Sequence, residues 1–176
     1  MKSFGASIAI AVAGLAMTSL PATADANDKR DGEKVMTSPM TTQQRNKAAV
    51  QDRFAAWANG TGNPFELLAE DATWTITGRS AASKTYANRE AFLREVIKPF
   101  NARMQVPLKP VMRGIYADGD AVVIFFDASA VARDGKPYVN TYTWYFDMRD
   151  GRVVKATAMF DSIEFNDLWS RVQPSP

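Results

Sequence analysis

Asp127, Ser129, Asn140, Tyr142 and Asp161 are polar residues spaced so that a folded sheet can gather them into one row. The chemistry open to such a row is narrow. The chain has no histidine and no cysteine, which closes off Ser-His-Asp and Cys-His nucleophiles, ordinary zinc sites, His-ligated haem and CxxC redox chemistry. Proton transfer is left to Asp, Glu, Tyr, Lys and Arg. A carboxylate desolvated among apolar groups gains proton affinity, and a general acid or base near neutral pH needs that gain. Asp161 is the candidate for the role. Asp127 and Asp161 without further oxygen ligands make a poor cation site, so neither metal nor cofactor is expected.

The row is a consequence of hairpin arithmetic. Strand-like runs near 106–117, 121–132, 138–148 and 152–162 are joined by turn signals at Asp118-Gly119, Asp134-Gly135 and Asp150-Gly151. With each Asp-Gly pair at the two central positions of its turn, Asn140 falls opposite Asp161 and Tyr142 opposite Met159. Across the preceding hairpin, Ser129 falls opposite Asn140 and Asp127 opposite Tyr142. Met112, Val123, Phe125, Trp144 and Phe146 share that face, a mixture that suits a pocket in which a few polar groups orient an apolar guest. The same row could instead satisfy itself by internal hydrogen bonds. The other face carries Ile124, Phe126, Thr141, Thr143, Tyr145, Val154, Ala156, Ala158 and Phe160. A sheet apolar on both sides needs two partners, so a homodimer through the outer face is expected.

The elements that position these strands come first in the chain. Val50, Phe54 and Trp57 form the stripe of a helix over 43–59 that Gly60 stops. Asn63-Pro64 opens a short helix through Glu70, residues 72–77 read as a strand, and Asn88 caps a helix over 89–100 with the stripe Phe92, Val96 and Phe100. A closing helix is expected near 163–172. Helices followed by a long meander give an α+β fold, not the alternating pattern of nucleotide-binding proteins. Trp57, Phe54 and Trp74 could line a pocket between the layers, or simply fill the core. Gly60-Thr61-Gly62 has no strand before it and no P-loop lysine pattern, so it is a turn.

Residues 1–24 read as a signal peptide: Lys2, an apolar run from Ile8 to Met17, and an A-x-A-type site at Ala22-Thr23-Ala24. The run is too short for a membrane anchor. Export, to the periplasm of a Gram-negative source, is the expectation, with no membrane attachment after cleavage. Residues 25–42 are a polar lead-in, and 43–173 form one domain. The net charge of +2 offers no basic patch for nucleic acid.

Phe54-Ala55-Ala56-Trp57-Ala58-Asn59-Gly60, Leu67-Leu68-Ala69-Glu70-Asp71-Ala72-Thr73-Trp74, Gly78 with Tyr86 and Arg89-Glu90-Ala91, Asn140-Thr141-Tyr142, and Asp150-Gly151-Arg152-Val153-Val154 leading to Met159-Phe160-Asp161 stand in one order over 43–165. This ordered set resembles the SnoaL-like proteins of the nuclear transport factor 2-like superfamily. The resemblance implies a cone of helices against a curved sheet, a pocket in its mouth and a dimeric habit. It implies function less directly, since the fold hosts isomerases, cyclases, hydrolases and non-catalytic modules. The ketosteroid isomerase residues would fall at Ile76, near Arg53 or Phe54, and around Tyr142 or Thr143, so that machinery is absent. The scytalone dehydratase type depends on histidines, which this chain lacks. The epoxide hydrolase Arg-x-Asp would fall at Asp127 and Ser129, with neither residue matching. The aspartate of the polyketide cyclases is matched by Asp161. The resemblance thus implies a pocket for a small hydrophobic molecule, served by Asp161 as cofactor-free acid–base catalyst with Asn140 and Tyr142 assisting. The alternative is a non-catalytic binding or assembly module.

Overall fold

A computed structural model describes residues 38–175; the signal peptide and most of the lead-in expected from the sequence lie outside the described residues. Helix α1 (Thr42–Asn59) starts at a capping box between Thr41 and Gln44 and stops at Gly60, whose φ of 73° is the left-handed value a helix end requires. A 3-10 turn (Pro64–Leu67) capped by Asn63 leads into β1 (Leu68–Ile76). The helix expected through Glu70 is therefore one turn long, and the strand begins at Leu68, not at Ala72. Leu68 is 1% exposed, and its burial in the sheet outweighs the helix propensity of Leu-Ala-Glu. The two-residue strand β2 (Thr85–Tyr86) pairs with β1 and has no signal in the sequence.

Asn88 caps α2 (Arg89–Phe92), which continues through a π-helical turn (Leu93–Ile97) into α3 (Lys98–Asn101). Pro99 has no N–H to offer Glu95, and just before it the Lys98 N–H reaches back five residues to the Leu93 carbonyl. Strands β3 (Met104–Asp118), β4 (Ala121–Ala132), β5 (Pro137–Arg149) and β6 (Arg152–Phe160) form the meander, and α4 (Ser162–Arg171) closes the chain. The sheet order is β2-β1-β6-β5-β4-β3, antiparallel throughout except for β1 beside β6. Bulges in β3 and between Asp147 and Met148 bend it around the helices.

The expected register fails by one residue in both hairpins. At Asp150-Gly151 both residues have positive φ (52° and 73°), the two-residue turn that the sequence predicts, but the bulge at Asp147/Met148 then shifts the pairing so that Tyr142 meets Phe160. At Asp134-Gly135 only the glycine is left-handed; Ala132 pairs with Lys136 around a three-residue loop, and Asn140 meets Ala128. A slip of one residue turns a side chain to the other face. Even-numbered positions of β4 and β5 consequently point inward, with Val122, Ile124, Phe126, Tyr138, Asn140, Tyr142, Trp144 and Phe146 buried. Val123 and Phe125 lie outside, whereas Ile124, Phe126, Ala156 and Ala158, expected outside, are core.

Candidate functional site

Between the inner sheet face and the helices lies a cavity of about 590 Å³. Its floor is Tyr142 and Trp144 of β5 with Phe160 of β6, and its walls are Trp57 of α1, Phe65, and Phe92, Leu93, Val96 and Phe100 of the α2–α3 segment. The stripe that makes that helix amphipathic is thus the stripe that faces the cavity. Asn63, Glu66, Arg89 and Asn101 supply the remaining polar lining. Glu66 is engaged by Arg53 at 2.6 Å and by the Asn63 amide at 3.1 Å, and Arg89 donates to the Leu68 carbonyl at 3.3 Å.

Aromatic rings hold the floor in place. Trp144 stacks on Trp57 with centroids 6.0 Å apart and meets Phe126 and Trp74 edge-on at 4.9 and 5.1 Å. Tyr142 stacks on Phe126 at 5.0 Å. Behind the floor runs a short polar string. The Tyr138 and Tyr142 hydroxyls are 2.8 Å apart, and the Asn140 amide donates to the Tyr138 hydroxyl at 3.0 Å. Burial pushes the Tyr138 phenol up to about 12, partly offset by its hydrogen bonds to Tyr142 and Asn140. The Tyr142 phenol is also raised well above its ordinary value, by burial first and by Tyr138 beside it. Both phenols are therefore neutral at physiological pH.

Of the residues expected at the site, Tyr142 and Trp57 line the cavity. Asn140 is buried one layer behind. Phe54 and Trp74, each 2% exposed, are backing: Phe54 packs edge-on against Trp57, Phe126 and Trp144, and Trp74 stacks on Phe92 at 4.2 Å. Asp127, Ser129 and Met159 are on the outer sheet face, turned there by the register shifts. Asp127 accepts from Thr141 at 2.7 Å, Ser129 is exposed, and Met159 is 48% exposed.

Asp161 is also corrected in geometry. Asn140 grips its backbone, with Nδ2 donating to the Asp161 carbonyl at 3.0 Å and Oδ1 accepting the Asp161 N–H at 2.9 Å. The carboxylate itself is exposed, outside the cavity lining, and caps α4 by accepting the Ile163 N–H at 2.8 Å. Asp161→Ala should therefore lower stability by about 1 kcal/mol, and Asp161→Asn, which keeps a capping oxygen, by only a few tenths. Urea unfolding of the two variants checks this; equal losses would show that the cap is not what Asp161 contributes.

The sequence reading missed Phe65, Phe160, Phe165, Glu66 and Arg89 as lining residues. Phe160 was assigned to the outer face by the same slip that misplaced Met159. Among the described residues, no group of three or more Asp or Glu side chains is placed to hold a metal ion.

Residues 50–156 match the SnoaL-like domain. No curated protein matches the sequence. Solved structures share the fold. Bal32a, from a soil-derived mobile gene cassette, is 24% identical, with 73% of this chain and 99% of that chain covered at a TM-score of 0.62. An NTF2-like protein from Burkholderia xenovorans LB400 is 20% identical, with 74% and 98% covered at 0.54. TerC, co-crystallized with polyporic acid, is 17% identical, with 72% and 98% covered at 0.59.

Proposed function

The chain belongs to the SnoaL-like domain family, and from that premise we propose that it takes a small, mainly apolar molecule into the cavity between helices and sheet. The observation that carries this is the composition of the lining: Trp57, Phe65, Phe92, Trp144 and Phe160 beside Tyr142. A cavity of about 590 Å³ is of the size that holds a drug-sized ligand. TerC, of the same fold, was co-crystallized with polyporic acid.

Cofactor-free acid–base catalysis is the second reading. Asp161 spends its carboxylate on the α4 cap, so any reaction would draw on groups that line the cavity, Tyr142 first. Two further features belong to this reading. Val111, Tyr116, Val139, Tyr145 and Met159 are 40–67% exposed on the outer sheet face, an apolar surface that a second copy of the chain would cover. The signal-peptide features of residues 1–24 support export. No described helix is long and apolar enough to cross a membrane.

Native mass spectrometry of the protein purified from its host tests all three. The expected spectrum is a dimer with Asp25 as its first residue and a bound small organic molecule lost on denaturation. A monomer would remove the sheet-face interface, an intact Met1 would remove export, and a protein that neither retains nor takes up any apolar compound would remove the binding function.

A further inference from the structure

The wall built by the α2–α3 segment carries a positive charge that the fold leaves unused. Arg89, Phe92, Val96 and Phe100 recur at helical spacing and all line the cavity, with Asn101 beside the last of them. The stripe therefore opens on a guanidinium, stays apolar to Phe100 and closes on a neutral amide. Arg89 is half-buried, and among the described residues its side chain makes one hydrogen bond, from Nη1 to the Leu68 carbonyl at 3.3 Å. A neutral donor would serve that carbonyl equally well. The charge and the remaining N–H donors of the guanidinium are left over.

The carboxylates nearest to hand are engaged elsewhere. Glu66, which shares the lining, is held by Arg53 at 2.6 Å and by Asn63 at 3.1 Å, and Glu90, next to Arg89 in the chain, pairs with Arg94 at 3.2 Å. Among the described residues no carboxylate pairs with Arg89. A cation partly withdrawn from water beside an apolar space is stabilised by an anion brought to it. We infer that Arg89 is an anion receptor, and that the cavity takes an apolar monocarboxylate with its head on Arg89 and its body along Phe92, Val96 and Phe100. The inference rests on the reading of the cavity as a ligand site. The carboxylate follows from the guanidinium fork, whose paired N–H groups meet two oxygens in one plane. A single negative charge follows from a single unpaired cation; a phosphate monoester would bring about −1.5 to −2. An elongated body follows from the wall, since Arg89 and Asn101 stand about 18 Å apart along it at the rise of a helix. Asn101, being neutral, has no charge with which to hold a second acid group.

The test uses 6-phenylhexanoate and 6-phenylhexanamide, probes of one shape that differ in charge, titrated by tryptophan fluorescence at neutral pH. The native protein should bind the carboxylate about tenfold more tightly than the amide. Arg89→Gln keeps a donor for the Leu68 carbonyl and removes the charge. It should weaken the carboxylate about tenfold and leave the amide within about twofold. Arg89→Lys, which keeps the charge but loses the fork, should retain a preference of about threefold. Arg94→Gln removes an exposed cation of the same segment that is outside the lining, and should alter neither affinity. Equal native affinities for the two probes, or both weakened alike by Arg89→Gln, would overturn the inference. So would a loss in Arg94→Gln as large as that in Arg89→Gln, which would trace the preference to the general field of the helix. Should Arg89→Gln not fold, the native ratio and Arg89→Lys still decide. Binding of the amide without the carboxylate would overturn the inference, although the cavity would stand as a ligand site. If neither probe binds the native protein, the cavity reading falls and this inference with it.

Discussion

Trp144→Ala should cost about 4 kcal/mol, the middle of the range for truncating a buried aromatic residue. Trp144 is 5% exposed, and its ring lies within 6.4 Å of the rings of Phe54, Trp57, Phe65, Trp74, Phe126, Tyr142 and Phe146. Those partners come from α1, from the turn after it and from β1, β4 and β5, so the side chain ties the helical layer to the sheet at a single point. Two opposing effects set the magnitude. Truncation removes a large apolar transfer term together with several edge-on contacts. The void it leaves joins a cavity that already exists, so no new enclosed space is created and solvent or ligand can relax part of the cost. Urea unfolding should show a lower midpoint with an unchanged slope, and melting should fall by on the order of 10 °C. Indole fits the space removed, and at concentrations above its dissociation constant it should restore part of the lost stability by mass action. Trp144→Phe, which retains a ring, should cost less than half as much. A loss below about 1.5 kcal/mol for Trp144→Ala would mean that the two layers are held elsewhere and that the floor of the cavity is soft.

Most of the fold was legible because the signals that specify it are local. The strand spans 121–132 and 138–148 match β4 and β5 to within a residue at each end, and the stripe Phe92, Val96 and Phe100 identifies the helix that walls the cavity. Register was not legible from the turns. Asp-Gly serves equally in a two-residue turn with both residues left-handed, as at 150–151, and in a three-residue loop with the glycine alone left-handed, as at 134–135. The bulge at Asp147/Met148 has no glycine or proline to mark it. These single-residue shifts explain why Asp127, Ser129 and Met159 went to the wrong face while Tyr142 went to the right one.

A stronger signal for the face was available in the same strands. In β4 and β5 the charged residues Asp127, Asp147 and Arg149 are all at odd positions, and no even position carries a charge. Alternation therefore fixes which side faces solvent in each strand separately, without reference to the turn between them. Asp161 failed for another reason. At the end of a strand, an aspartate two residues before the first apolar residue of a helix has the sequence context of a cap, and its carboxylate is consumed locally.

Asn140→Ala should cost about 3 kcal/mol, three times the loss of the Asp161 cap, although both residues serve the same junction. Asn140 is 3% exposed and makes three hydrogen bonds of 2.9–3.0 Å. Two of them replace a strand partner for Asp161 just past the end of β6, where the chain turns into α4. Alanine would leave the Asp161 N–H without an acceptor and Tyr138 without its donor, while the Asp161 carbonyl would keep the Phe165 N–H at 3.3 Å. One partly buried donor is orphaned outright, and the phenol pair loses its orientation. Asn140→Asp should be no milder, since its second oxygen would face the Asp161 carbonyl and the Tyr138 oxygen in place of a donor. Hydrogen exchange at the Asp161 and Ile163 amides reads the junction directly: both should lose protection in Asn140→Ala, whereas Asp161→Ala should expose Ile163 alone. In the double variant the losses should fall short of additive by about 0.5–1 kcal/mol, because a cap whose backbone is no longer held contributes less. Strict additivity would mean that the Asp161 carboxylate finds Ile163 without help from Asn140, and that the string from Asn140 to Tyr142 serves the cavity alone.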